Sequence, residues 1–139
     1  MTDLPRPSDL ELQVLIVLWE RGPLPVATIR EAIPDGKSRA YTTVLSVLQG
    51  LERKRLVDHT TKGQANIYHP LVERQQVLQP LMRELLQNLF GGSPARAVQS
   101  LLDSSPVDDD EMSQIHQLLA EVEQKQMPAA KQKKRKPRR

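Results

Sequence analysis

Arg39, Thr42, Thr43 and Ser46 recur at helical spacing in the stretch SRAYTTVLSVLQGLERKRL. They are the residues of this chain best suited to act on a partner. Hydroxyls donate and accept, a guanidinium donates in a fixed fork, and no carboxylate interrupts the set. Such a face can hydrogen-bond base edges and phosphate oxygens, and its threonine methyls can meet thymine methyls. The competing reading is an ordinary solvated helix face. The surrounding charge favours a nucleic-acid partner: residues 37–62 hold Lys37, Arg39, Arg53, Lys54, Arg55 and Lys62 against only Glu52 and Asp58. Tyr41, near the start of the same stretch, is expected to pack its ring on the domain while its hydroxyl reaches a phosphate.

The elements that must carry this face follow from periodicity and punctuation. Tyr41, Val44, Leu45, Leu48 and Leu51 fall on one side of a helix expected from Arg39 to Lys54, with Ser38 as its N-cap. Lys54 and Arg55 suit its negative end. Two short strands are expected next, Leu56–Thr60 and Ala65–His69. A turn of Thr61, Lys62, Gly63 and Gln64 joins them and sets Lys62 and Gln64 at its tip. Upstream, residues 1–7 carry two prolines and no periodicity, and are expected to be mobile. Ser8 to Glu11 reads as a capping box opening a helix to about Glu20. Leu10, Val14, Val17 and Leu18 form its apolar stripe, widened by Leu12, Ile16 and Trp19. Gly22-Pro23 stops it, Leu24 starts a very short strand, and Pro25 takes the first position of a second helix ending at Ala32. Pro34-Asp35-Gly36 is a turn. Three helices and then a two-stranded wing give the order of a winged helix-turn-helix domain, residues 8–70.

Residues 71–126 read as a helical arm. Val77, Leu78, Leu81, Met82, Leu85, Leu86, Leu89 and Phe90 give a broad apolar face, with Pro80 expected to kink the helix or start a new one. Gly91-Gly92 ends it. Ser93-Pro94 caps a second helix with Ala97, Val98, Leu101 and Leu102 inside, and Pro106 breaks that helix. Asp108 and Glu111 form a further capping box, after which Met112, Ile115, Leu119 and Val122 make a narrow seam like that of paired helices. Short helices this apolar bury little alone, so a second copy of the chain is their natural cover. Leu81, Leu85, Leu89, Phe90, Met112, Ile115, Leu119 and Val122 are the expected dimerisation residues. The fold class is thus mainly α: a winged helix-turn-helix domain followed by a C-terminal helical dimerisation arm.

Composition narrows the rest. The 139 residues carry a net charge of +3, but seven cations lie in the tail from Lys131 onward. Set aside, they leave 13 basic against 17 acidic residues, about −4, so a nucleic-acid surface must come from clustering. Residues 127–139 are expected to be disordered, either adding non-specific phosphate attraction or forming a solvated tail with no specific role. There is no cysteine, which removes disulfides, zinc-thiolate and iron–sulfur sites and cysteine catalysis. No apolar run is long enough to span a membrane, and no secretory signal is visible, so a cytoplasmic address is expected. His59 and His69 fall on the wing strands, where they could face each other, and His116 lies in the arm. No acidic or histidine set accompanies them at metal-ligand spacing, so no metal, cofactor or enzyme activity is expected. Four aromatic residues are too few for a base-stacking platform, which leaves Trp19 to the core.

Residues 8–126 resemble the penicillinase-repressor family (BlaI/MecI type) of bacterial transcription regulators. The resemblance is carried by LIVLWE at Leu15–Glu20, Gly22-Pro23, AYTTVLSVL at Ala40–Leu48 and Leu51-Glu52-Arg53-Lys54, with Gly63, Tyr68-His69-Pro70 and Phe90-Gly91-Gly92-Ser93. Four features depart from it: Arg55 where glycine is usual, Gly50 where a longer residue is usual, Pro80, and the basic tail. The resemblance implies a homodimeric repressor on a pseudo-palindromic double-stranded DNA operator. On the reading of the helix face and the wing given above, Arg39, Tyr41, Thr42, Thr43, Ser46, Lys54, Lys62 and Gln64 are the expected DNA contacts. The resemblance also implies relief of repression by a sensor-linked protease cutting the arm, at a position matching Ser100-Leu101. The other class of function open to the same fold is a winged-helix protein-interaction module without specific DNA binding.

Overall fold

The structure is a computed structural model and describes residues 5–126. Its elements run α1 (Asp9–Arg21), β1 (Leu24–Pro25), α2 (Val26–Ala32), α3 (Tyr41–Arg53), β2 (Val57–Lys62), β3 (Ala65–Pro70), α4 (Arg74–Phe90), α5 (Pro94–Ser104) and α6 (Asp109–Lys125). The winged helix-turn-helix order is as expected. The three strands form one antiparallel sheet in the order β1-β3-β2.

Local chemistry sets the element ends. The Ser8 hydroxyl accepts from the Glu11 N–H while the Glu11 carboxylate accepts from the Ser8 N–H, so the capping box opens α1. Ser38 does not cap α3. The helix starts two residues later than expected, with Ala40 as N-cap and no side-chain hydrogen bond there. Pro25 is likewise the N-cap of α2 rather than its first helical residue, because its extended backbone is already paired in β1. The far end of α3 is a Schellman motif: Leu56 N–H donates to the Leu51 carbonyl and Arg55 N–H to that of Glu52. That motif needs a left-handed residue, and Arg55 supplies it at φ 63 without being glycine.

The strands are longer than expected, and the turn between them is only Gly63-Gln64, with Lys62 opposite Ala65. Gly63 takes φ 65 at the first central position, which suits a tight hairpin of this kind. The hairpin register also separates the two wing histidines. His59 lies opposite Tyr68, and His69 lies opposite Asp58, so they do not face each other.

The core gathers Val14, Leu15 and Leu18 of α1, Val26 and Ile29 of α2, and Val44, Leu48 and Leu51 of α3. Leu56, Val57 and Tyr68 close it from the wing. Leu15 is fully buried, while Leu12 and Ile16 are only half-buried. Trp19 packs against this core, and its indole N–H donates to the Val72 carbonyl at 3.0 Å. Pro7 is buried and Arg6 pairs with Glu84 at 2.6 Å, so the mobility expected of residues 1–7 does not extend to these two. Residues 1–4 lie outside the described set, as do residues 127–139 and the expectation attached to them.

The chain divides into two compact units, residues 1–85 and residues 86 onward, and the division falls inside α4. In the second unit α5 begins at Ser93-Pro94 and ends before Pro106. Asp108 caps α6 by accepting from Glu111 N–H, but the return bond of a capping box is not made. α4 runs unbroken through Pro80, so no new helix begins there. The expected interior of α5 is exposed within the single chain, at 44% for Val98 and 61% for Leu101. The α6 seam is also open, at 54% for Leu119.

Candidate nucleic-acid interface

α3 is amphipathic because its apolar residues repeat at three- and four-residue steps. Burying Val44, Leu48 and Leu51 turns the intervening residues outward. Thr42, Thr43 and Ser46 are exposed along that outer side. Gln49 and Arg53 continue it toward the C-terminal end, also exposed; the sequence counts Arg53 in the basic cluster, but neither is among the expected DNA contacts. Their signal was present: Thr42, Ser46, Gln49 and Arg53 follow a 4-3-4 spacing. A glutamine amide can pair with an adenine edge and an arginine with guanine or phosphate. Tyr41 is 46% exposed, so its ring does not pack as expected; one residue into the helix, it stands at the rim of the outer face.

Two expected DNA-contacting cations are engaged within the chain. Arg39 makes a two-pronged ion pair with Asp35, at 2.7 and 2.9 Å, across the loop before α3. The Arg39 guanidinium, and then the Lys37 N–H, hold the Asp35 carboxyl well below the usual carboxylate range. Lys54 bonds Glu11 at 2.6 Å, and Glu11 is only 8% exposed. Lys54 therefore neutralises a buried acid on the α1 side and does not join the exposed stripe. The unusual Gly50 belongs to the same arrangement. A Cβ there would come within 3.1 Å of the Glu11 carboxylate, so the missing side chain leaves room for the pair.

The wing brings Lys62 and Gln64 to the tip of the β2–β3 hairpin, both exposed. Thr61 donates across the hairpin to the Asn66 side chain at 3.2 Å, on the paired positions just behind the tip. Between wing and helix lies a cleft of about 500 Å³ lined by Leu45, Gln49, Glu52, Arg53, His59, Asn66 and Tyr68. In it His59 Nδ1 lies 2.9 Å from Glu52 Oε1, and the imidazole leans on the Tyr68 ring at 5.1 Å. Burial, and then the nearby Glu52 charge, push the Tyr68 phenol up. The expectation that no acidic set accompanies the wing histidines is overturned for His59. Glu52, Asp58 and His59 each offer a ligand atom, all within 4.8 Å of one another.

Of the residues singled out for DNA, the structure thus exposes Tyr41, Thr42, Thr43 and Ser46 on α3 and Lys62 and Gln64 on the wing, and engages Arg39 and Lys54 elsewhere. Ser100 and Leu101, where the resemblance led to the expectation of a cleavage position, are exposed on α5. Among the described residues no helix is long and apolar enough to cross a membrane.

The penicillinase repressor family model matches residues 7–121. The transcriptional regulator BlaI of Mycobacterium tuberculosis is 35% identical over 125 residues, spanning 88% of this chain and 89% of its own. The penicillinase repressor of Bacillus licheniformis is 21% identical over 121 residues, spanning 87% and 94%. Among solved structures, a MarR family protein from Bacillus stearothermophilus shares the fold, with a TM-score of 0.50 at 17% identity over 85% of this chain and 74% of that one. The match takes in every element from α1 to α5 and most of α6, and the chain belongs to the penicillinase repressor family.

Proposed function

We propose that this chain is a transcriptional repressor that binds double-stranded DNA as a homodimer. One observation carries the reading: an exposed helix face of Thr42, Thr43, Ser46, Gln49 and Arg53, free of carboxylates, is accompanied by a wing whose tip presents Lys62. The names of the relatives, a transcriptional regulator and a penicillinase repressor, agree with it. Residues 8–70 would place α3 in a major groove, with Thr42, Thr43 and Ser46 at base edges and Tyr41, Lys62 and Gln64 on the flanking backbone. Arg39 joins them only by leaving Asp35.

Residues 71–126 would hold two copies together. The open apolar residues Leu85, Leu89, Met112, Leu119 and Val122 support this, because a soluble chain does not ordinarily leave such a set uncovered. Two domains so joined would read a pseudo-palindromic operator. Relief by proteolysis near Ser100-Leu101 belongs to the same reading. It requires α5 to unwind locally, since a helical bond does not fit an extended-substrate cleft. A fragment ending near Ser100, seen by mass spectrometry of the chain from induced cells, would support that step, and an intact chain under every inducer would remove it.

The deciding experiment is selection of genomic fragments by the purified chain at near-physiological salt, followed by sequencing. Enrichment of a few sites sharing an inverted repeat is expected. Failure to retain any duplex, at low or high salt, would replace the reading with a winged-helix protein-interaction module.

A further inference from the structure

We propose that Glu52, Asp58 and His59 bind a divalent transition-metal ion, with Zn²⁺ as the test ion, at the seam between α3 and the wing. The three come from two elements brought together by the Schellman turn. Glu52 lies in the last turn of α3, and Asp58 and His59 follow Val57 near the start of β2. Their ligand atoms lie within 4.8 Å of one another. The donors are also held in place. Tyr68 supports the imidazole at 5.1 Å, His59 Nδ1 already points at Glu52 Oε1 at 2.9 Å, and the Asp58 carboxylate is turned back to accept from the His59 N–H at 2.8 Å.

A tetrahedral ion with bonds of about 2.0–2.1 Å needs donors about 3.3 Å apart, so the His59–Glu52 pair need open by only a few tenths of an ångström. The 500 Å³ cleft that Glu52 and His59 line gives room for water in the remaining position. An imidazole with two carboxylates suits zinc or its neighbours better than magnesium, which prefers oxygen alone in an octahedron. Arg53 lines the same cleft and is the charge such an ion must approach. Bound there, the ion would tie β2 to α3 and cancel two negative charges beside the outer face. The site itself stands whether or not the chain binds DNA.

The test is calorimetric titration of Zn²⁺ into the untagged, EDTA-treated full chain, with histidine side-chain NMR alongside. Saturation near one ion per chain is expected, with the His59 ring signals moving first. Losing a direct ligand should cost at least the tenfold that loss of a supporting contact costs. His59→Gln and Asp58→Asn are therefore each expected to weaken binding by about tenfold or more, while His69→Gln and His116→Gln leave it unchanged. Glu52→Gln is the second variant should either of the first two unfold, as circular dichroism in EDTA would show. No saturable binding, equal affinity in the His59 variant, or equal loss in the His69 or His116 variants would each overturn the proposal.

Discussion

Single residues divide here into those left open on the surface and those that hold a neighbour. Thr43 is exposed and near the start of α3, where a recognition helix meets bases. Thr43→Ala is expected to cost about 1–3 kcal/mol on the selected operator and little on random duplex, measured by fluorescence anisotropy. Equal losses on both would assign Thr43 to phosphate positioning. Arg39 is committed to Asp35. A carboxyl held below its ordinary range contributes stability above that range and loses it only as pH falls through the lowered value, so this clasp is constant through neutral pH. Only substitution tests it. Asp35→Asn should free Arg39, tighten binding to every duplex and steepen the salt dependence by about one unit of slope. An unchanged slope would keep Arg39 off the phosphates.

At the scale of elements, the turn from α3 into the wing stores strain. Arg55 sits at φ 63, a region costly for a side chain by about 1–3 kcal/mol. Arg55→Gly should raise stability by about 1 kcal/mol after the entropy cost of glycine, read as a higher Tm. A lower Tm would mean that the arginine side chain makes up for its backbone. The wing tip is the other testable element. Lys62→Ala is expected to weaken all DNA sequences alike and to lower the salt slope by about one. No change in slope would take the wing out of the interface.

For the whole molecule, the open question is what covers the arm. Within one chain Met112, Leu119 and Val122 of α6 are 38–54% exposed. If a second copy buries them, Leu119→Glu places an unpaired charge in that interface. It should then cost about 3 kcal/mol, near a hundredfold in the dimer dissociation constant, by sedimentation velocity. Operator affinity should fall with it, because two half-sites bound separately lose the gain of linkage. A wild-type chain that sediments as a monomer at every concentration would end the dimer reading.

The sequence by itself determined the order of elements, the capping box at Ser8, the stops at Gly22-Pro23 and Gly91-Gly92, and, Tyr41 apart, the buried side of α3. These depend on residues a few positions apart, and periodicity and caps report such neighbours directly. It also marked Arg55 and Gly50 as unusual without showing why. Only the tertiary structure decided which polar groups were free to meet a partner. Lys54 is 43 residues from the Glu11 it neutralises, and His59 meets Glu52 only because the chain reverses at Arg55. Charge acts through space, and a linear reading registers that a lysine is present but not which acid, folded beside it, has already taken its charge.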